Sequence, residues 1–194
     1  MYDLIGDIHG QAVELETMLI KLGYRVVGRH YRHENRKVIF LGDFIDRGRH
    51  QRRVLEIVRS MTENEAAYAV MGNHEYNAIA YHTPRANGGF LREQSTKNTG
   101  QHQAFLDEYA SDTIEMNEMI EWFKTLPLWL DLEGIRIIHA CWDQSSIDRI
   151  LEHHDGSNLL GNELLHSSAE RETWQFKAID ICLTSTPMGQ TSGI

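Results

Sequence analysis

Three short segments combine glycine with aspartate, asparagine and histidine, and each follows an apolar run. They read Gly6-Asp7-Ile8-His9-Gly10, Gly42-Asp43-Phe44-Ile45-Asp46-Arg47-Gly48 and Gly72-Asn73-His74-Glu75. Carboxylate, amide and imidazole donors together suit Mn²⁺, Fe or Zn²⁺ better than Ca²⁺ or a thiolate-bound structural zinc. The segments therefore predict a metal site with hydrolytic chemistry.

The spacing of these donors indicates how two ions would share them. Two ions about 3.5–4 Å apart in a hydrolytic centre can be bridged by one carboxylate, and Asp43 stands on the central segment. Asp7 and His9 are two residues apart and can reach the same side of an extended turn. Asn73 offers an amide oxygen, and His139, at the end of a later apolar run, offers another imidazole.

The remaining polar residues of these segments have the chemistry of phosphate hydrolysis. Arg47 can present a planar fork of donors to a phosphate. His74 is placed to donate a proton to a leaving oxygen, and Asp46 can orient that imidazole and raise its pKa. We expect Glu75 to support the start of its helix electrostatically, and we interpret Trp142 as packing rather than stacking on substrate.

The segments follow alternating predicted strands and helices, which favours an α/β architecture. The strands are Tyr2–Ile5, Lys37–Leu41 and Ala66–Met71, and the helices are Ala12–Leu22, Arg52–Met61 and one that starts over His74–Tyr81. Ligands of an open α/β sheet bind beyond the carboxyl ends of its strands. The three segments are therefore expected to meet at one rim.

The second half of the chain has a different pattern. It is expected to contain a helical insertion over about 84–125, which could form a wall of the substrate pocket. The predicted elements are a surface loop at Thr83–Gly100, helices at Gln101–Tyr109 and Thr113–Lys124, a hairpin of Leu126–Leu132 and Ile135–His139 turning at Glu133-Gly134, and a last helix at Ser168–Cys182.

Composition excludes several classes of protein. The 194 residues carry 19 Lys and Arg against 28 Asp and Glu, a net charge of −9, so no nucleic-acid binding is expected, although a locally basic pocket for one phosphate remains possible. No apolar run reaches eighteen residues, and the first residues are not a secretory signal. Two cysteines cannot form a disulfide framework, which favours the cytoplasm.

Together the three segments resemble the calcineurin-like metallophosphoesterase superfamily, and within it the branch of phosphoprotein phosphatases and symmetrical diadenosine tetraphosphate hydrolases. The resemblance covers about residues 1–142. It implies a four-layered α/β/β/α sandwich with a dinuclear metal centre between two central sheets. It also implies a phosphorylated substrate, either a phosphoprotein or a nucleotide. Mn²⁺ is the most expected ion, with Fe or Zn²⁺ as alternatives.

The resemblance assigns a role to each matching residue. It implies that Asp7 and His9 bind one metal ion, that Asp43 bridges both, and that Asn73 and His139 bind the second. Arg47 would hold the phosphoryl oxygens. His74, paired with Asp46, would be the general acid, and a metal-bridging hydroxide would attack phosphorus in line.

Three features depart from the family pattern. Val70-Met71 replaces the Leu-Arg of phosphoprotein phosphatases, which removes a second phosphate-binding arginine. Ile138-His139-Ala140-Cys141-Trp142 alters the pocket beside the metal. The family's last metal histidine has no clear counterpart, because His153, His154 and His166 are interpreted as surface residues.

The end of the chain is expected to lie outside the domain. Residues 1–182 are predicted to form the metallophosphoesterase domain and 183–194 a disordered tail, so the fold is predicted to be incomplete at its C-terminus. The alternative to an active phosphoesterase is a truncated, catalytically impaired metal-binding domain.

Overall fold

The computed structural model describes residues 1–184 and combines a parallel sheet, two hairpins and eight helices within that range. The elements are β1 (Tyr2–Ile5), α1 (Ala12–Lys21), β2 (Arg25–Val27), β3 (His30–Arg32), β4 (Lys37–Phe40), α2 (Gln51–Glu63), β5 (Ala67–Ala69), α3 (Asn73–His82), α4 (Thr96–Glu108), α5 (Thr113–Phe123), β6 (Trp129–Leu132), β7 (Ile135–Ile138), α6 (Gln144–His153), α7 (Asn162–Ser168) and α8 (Trp174–Thr184).

The central sheet is parallel, in the order β1-β4-β5. Its middle strand, β4, pairs Ile39 with Leu4 on one side and with Tyr68 on the other. Alternate side chains of β4 serve two cores, since Phe40 packs into the main core under the helices while Ile39 packs against Ile137 of the β6–β7 hairpin. Helices, sheet and hairpin therefore form successive layers, which confirms the α/β fold class.

The sheet brings the ends of its three strands to one edge. Because β1, β4 and β5 run parallel, the segments that follow them all emerge on the same side. The β6–β7 hairpin packs on the sheet face and delivers His139, the residue after β7, to that edge. This topology positions the candidate site.

The helical insertion differs from its prediction at one end. Helix α4 begins at Thr96, five residues before the predicted Gln101, because the Ser95 side chain accepts a hydrogen bond from the Asn98 backbone and caps it. Phe105 of α4 and Phe123 of α5 are fully buried in the main core. The insertion is therefore packed against the rest of the fold.

Other elements were missed or misplaced in the sequence analysis. The β2–β3 hairpin has strands of only three residues, too short for a clear alternation. Helix α6, which ends at His153, was not predicted. The predicted helix Ser168–Cys182 is instead α8 from Trp174, and it is preceded by α7, which ends at Ser168.

That residues 1–182 form one metallophosphoesterase domain stays a prediction. The main core runs from Ile5 to Leu183, and α8 includes Leu183 and Thr184. The remainder of the predicted tail, 185–194, lies outside the described residues. Within 1–184 no helix has both the length and the apolar character that crossing a bilayer requires.

Candidate active site

The segments after β1, β4 and β5 meet around the carboxylate of Asp43. The His9 backbone N–H donates to the Asp43 carbonyl at 2.9 Å, which joins the first two segments. The His74 backbone N–H donates to Asp43 Oδ1 at 3.1 Å, which joins the second and third. Asp43 is buried, as expected for the shared residue of the three turns.

Two histidines direct their Nε2 atoms toward this carboxylate. His9 Nδ1 donates to the Ile45 carbonyl at 2.9 Å, and His139 Nδ1 donates to the Leu41 carbonyl at 2.6 Å. A backbone carbonyl is an acceptor only, so each Nδ1 carries the proton and each Nε2 keeps its lone pair. This is the usual outer-sphere support of a metal-binding histidine.

The Nε2 atoms of His9 and His139 converge on the Asp43 carboxylate. Asp43 Oδ2 lies 3.7 Å from His9 Nε2, and Asp43 Oδ1 lies 3.6 Å from His139 Nε2. The Asn73 amide oxygen is 3.2 Å from His139 Nε2 and faces only acceptors, although a rotated amide could donate to the carboxylate instead. A divalent cation among these atoms would be bound by the carboxylate and both imidazoles, so the residues present fit divalent metal.

Asp7 lies at the solvent edge of the same group. Its carboxylate is 4.0 Å from His9 Nε2, and its side chain is 76% exposed. We refer to Asp7, His9, Asp43, Asn73 and His139 as the metal cluster. The structure brings all five to one place, and their function as ligands stays a prediction.

Glu75 links the turn after β4 to the turn after β5. Its buried carboxylate accepts backbone N–H bonds from Asp43 and Phe44 at 2.8 Å and from Gly72 at 3.0 Å. Burial and the nearby Asp43 charge raise the pKa of Glu75 to about 7, against the opposing effect of the backbone bonds. Glu75 therefore orders the β4 turn as well as the start of its own helix.

Glycine is required where these turns touch. A Cβ on Gly42, whose φ is +88°, would lie 2.4 Å from the Gly72 backbone nitrogen. A Cβ on Gly72 would lie 2.4 Å from the backbone nitrogen of Asp43. No side chain fits such a gap, so both glycines permit the contact that places Asp43 beside Asn73.

The backbone of the site is strained. Among residues 1–184, seven non-glycine residues have positive φ, and five of them are Asp7, His9, Asp43, Asp46 and Arg47. Such conformations cost of order 1–3 kcal/mol each and persist only where surrounding contacts enforce them. The orientation of these side chains therefore lowers the stability of the fold.

His74 is held by a carboxylate rather than by a carbonyl. His74 Nδ1 is 2.6 Å from Asp46 Oδ2, and its Nε2 lies 3.9 Å from Asp43 Oδ2. Burial lowers the pKa of His74, but the hydrogen bond to Asp46 and the charges of Asp43, Asp46 and Glu75 outweigh it, so the pKa is raised. His74 is thus suited to carry a proton beside the metal cluster.

Asp46 has a second imidazole partner that the sequence did not reveal. His102, buried on α4, has its Nδ1 2.9 Å from Asp46 Oδ1, and Gln51 accepts the Asp46 backbone N–H at 2.8 Å. Burial raises the pKa of Asp46, but the bonds to His102 and His74 prevail and lower it. No local sequence pattern indicated a role for His102, because it lies in the insertion, 56 residues from Asp46.

The other predicted residues have simpler surroundings. Arg47 is exposed on the turn after Asp46, and its function in binding phosphate stays a prediction. Trp142 packs under the Arg136 guanidinium, 5.1 Å from the ring centre, and its indole N–H donates to Gln144. This agrees with packing rather than stacking on substrate.

The later histidines do not join the metal cluster. The His153 ring packs at a tilt of 56° against Trp174, and its Nδ1 donates to the Arg149 carbonyl. Within residues 1–184, the one group of three or more His, Cys, Asp or Glu ligand atoms close enough to hold a metal consists of His9, Asp43 and His74. His74 shares this group with two residues of the metal cluster, and its function as a proton donor rather than as a metal ligand stays a prediction.

Comparison with known proteins identifies a family pattern over nearly the whole chain. The family model described as calcineurin-like phosphoesterase matches residues 2–189. A bis(5'-nucleosyl)-tetraphosphatase PrpE [asymmetrical] from Oceanobacillus iheyensis is 32% identical over 139 residues, 71% of this chain and 54% of the relative. The protein of the same name from Bacillus cereus is 33% identical over 156 residues, 76% of this chain and 60% of the relative.

The fold is also similar to that of a solved structure. The cold-active protein-tyrosine phosphatase of a psychrophile Shewanella sp. aligns over 88% of this chain and 54% of its own, with a TM-score of 0.53 and 17% identity. That identity supports the fold alone. The chain spans a little over half the length of these curated relatives.

Proposed function

The chain belongs to the calcineurin-like phosphoesterase family, and on this premise we propose that it hydrolyses a dinucleoside polyphosphate with the help of divalent metal. The observation that carries the proposal is the convergence of the His9 and His139 Nε2 lone pairs on the carboxylate of Asp43. The alternative substrate is a phosphoprotein, and the alternative function is a metal-binding domain with impaired catalysis.

Two metal ions are proposed at the metal cluster. Asp7 and His9 would hold one, Asn73 and His139 the other, and Asp43 both. Manganese suits the mixture of oxygen and imidazole donors, and Fe or Zn²⁺ would also be accepted. When bound, the ions would activate the attacking water and offset charge that develops on the phosphoryl oxygens.

The remaining residues would bind the substrate and donate a proton to it. Arg47 would bind phosphoryl oxygens with its planar guanidinium. His74 Nε2 would donate a proton to the leaving oxygen, while Asp46 keeps Nδ1 protonated and the ring oriented. His102 would fix Asp46 from the opposite side. Glu75 would keep the β4 turn in place.

The substrate proposal is supported by the relatives. Two of them are named asymmetrical tetraphosphatases, whereas the motifs resemble the symmetrical hydrolases. Asymmetrical cleavage of the polyphosphate is therefore proposed here. The two cysteines, Cys141 and Cys182, are both free, which is consistent with the proposed cytoplasmic location.

Metal content and turnover test the proposal together. Purified protein incubated with Mn²⁺ is expected to contain two ions per chain by elemental analysis and to hydrolyse p-nitrophenyl phosphate. Diadenosine tetraphosphate and a phosphoserine peptide, assayed in parallel, separate the two substrate classes by kcat/KM, and chromatography of the nucleotide products shows the cleavage mode. One ion or none, with no turnover, would instead indicate the impaired domain.

A further inference from the structure

A small polar cavity adjoins the His74–Asp46 pair. Its volume is about 70 Å³, and its lining includes Asn73, His74, Asn77, Arg92, Asn98 and Gln101. One water needs about 10–15 Å³ of such space, so the cavity has room for several waters or for one phosphoryl group. Since Asn73 and His74 are shared with the candidate active site, the cavity lies directly beside the place where the reacting phosphorus would sit.

Arg92, the only arginine in this lining, is half-buried and is held by hydrogen bonds to amide groups on α4. Arg92 Nη2 donates to Gln101 Oε1 at 2.7 Å and to Asn98 Oδ1 at 3.1 Å. The backbone N–H of Arg92 donates to the Ala80 carbonyl at 2.9 Å, which fixes the chain at the end of α3. The guanidinium is thus held in place while Nε and Nη1 have no hydrogen-bond partner within residues 1–184.

The charge of Arg92 also lacks a carboxylate partner. Arginine–carboxylate pairs within 4.0 Å, among residues 1–184, involve Arg36, Arg52, Arg53, Arg59, Arg85 and Arg136. Burial lowers the pKa of Arg92, and the interactions with Asp46 and Tyr76 only partly offset this. A half-buried guanidinium with no carboxylate in contact is stabilised when an anion binds beside it.

The other groups around the cavity are compatible with an anion. The one carboxylate in its wall, Asp46, has its two oxygens engaged by the imidazoles of His74 and His102. Asn77 makes no side-chain hydrogen bond within residues 1–184, so its amide can donate. The Tyr81 hydroxyl is already bonded to Thr99. Donors therefore outnumber unsatisfied acceptors.

We propose that Arg92 is the centre of a second anion subsite, which binds the phosphate next to the one that is hydrolysed. This inference rests on the proposed function, and it refines the substrate class to chains of at least two phosphates. A planar guanidinium with free Nε and Nη1 donors suits bidentate binding of phosphoryl oxygens. The position beside His74 places the neighbouring phosphate on the side of the leaving group.

Substrate preference in Arg92 variants tests the subsite. For Arg92→Ala, kcat/KM for diadenosine tetraphosphate is expected to fall about 10–100-fold further than kcat/KM for p-nitrophenyl phosphate, the range for losing hydrogen bonds to a charged group. Arg92→Lys keeps the charge without the planar fork and should recover part of the loss. Arg59→Ala, which removes a partly exposed arginine paired with Glu63, is the matched control and should leave the ratio unchanged.

A binding measurement separates this subsite from the proposed function. Inorganic tripolyphosphate, titrated calorimetrically into the metal-free protein, should bind the wild type at least about 10-fold more tightly than Arg92→Ala. If the protein hydrolyses neither substrate with Mn²⁺, the proposed function fails while this comparison still decides the subsite.

The results that would overturn the subsite are equally definite. They are an equal loss for both substrates, unchanged tripolyphosphate affinity in Arg92→Ala, or the same ratio change in Arg59→Ala. Circular dichroism reports whether Arg92→Ala is folded. If it is not, the Arg92→Lys variant alone must show a smaller loss of the same sign, and unchanged values in it would reject the proposal.

Discussion

The metal cluster and the His74–Asp46 pair both use buried imidazoles, but they hold them in different ways. In the metal cluster, His9 and His139 donate Nδ1–H to backbone carbonyls. In the pair, His74 Nδ1 contacts a carboxylate, which favours the protonated ring. The Nδ1 partner therefore differs between the two regions, a carbonyl in one and a carboxylate in the other, although the rings of His9 and His74 are only 4.7 Å apart.

The largest expected effect comes from the residue that both regions contact. Asp43→Asn keeps the shape of the side chain and tolerates the left-handed backbone, but it removes the charge shared by the ions. Loss of several kcal/mol of transition-state stabilisation predicts a fall in kcat of at least about 10⁴-fold. Elemental analysis of the variant should show fewer than two ions per chain. Retained turnover with full metal content would contradict the assignment.

A smaller effect is expected from the proton donor. His74→Gln should lower kcat about 10³-fold, within the range of a positioned general acid, while metal content stays at the wild-type value. The loss should be smaller for p-nitrophenyl phosphate, whose leaving group needs little protonation. A variant that loses metal instead would place His74 among the ligands, and the contrast between the two regions would disappear.

The carboxylate beside His74 should control pH dependence. His74 must be protonated to act as an acid, and its raised pKa preserves that state to higher pH. Activity is therefore lost as pH rises through this pKa. Asp46→Asn removes the charge that raises it, so the alkaline limb of the kcat profile should move to lower pH, with a fall in kcat at neutral pH of about 10–100-fold. An unmoved limb would show that another group titrates there.

The smallest expected effect concerns the partner behind Asp46. His102→Ala should lower kcat about 10-fold, at the low end for removing a supporting hydrogen bond, and leave metal content intact. His153→Ala, on the exposed end of α6, is the matched control and should match the wild type. If His102→Ala proved as severe as His74→Gln, support and proton transfer could not be assigned to separate residues.

The same contrast explains how much of the site the sequence could predict. Asp7, Asp43 and Asn73 lie on turns that follow parallel strands, and such strands bring their ends to one edge, so local patterns were enough to place these three together. His139 follows β7 of the antiparallel hairpin, and it reaches the same edge through the packing of that hairpin on the sheet. His102 and Arg92 both lie in the helical insertion, and only tertiary packing brings them close to Asp46 and His74. Their positions could not be predicted from periodicity.

The fold itself was predictable to a similar degree. Long amphipathic helices such as α2 were found within two residues at either end, since their apolar faces repeat clearly. The β2–β3 hairpin was not found, because its strands have three residues each and only Tyr31 is buried. Helix α7 was not predicted, and α8 begins at Trp174 rather than at the predicted Ser168.

The left-handed backbone of the active-site turns limits how this site could be redesigned. Glycine, asparagine and aspartate adopt that conformation with the least penalty. Few other residues could therefore replace Asp7, Asp43 and Asp46 without loss of stability. His9 and Arg47 belong to none of these types, although both have positive φ. A mutational library at the five positions would therefore gain stability most readily by introducing glycine, and would lose chemistry in the same step.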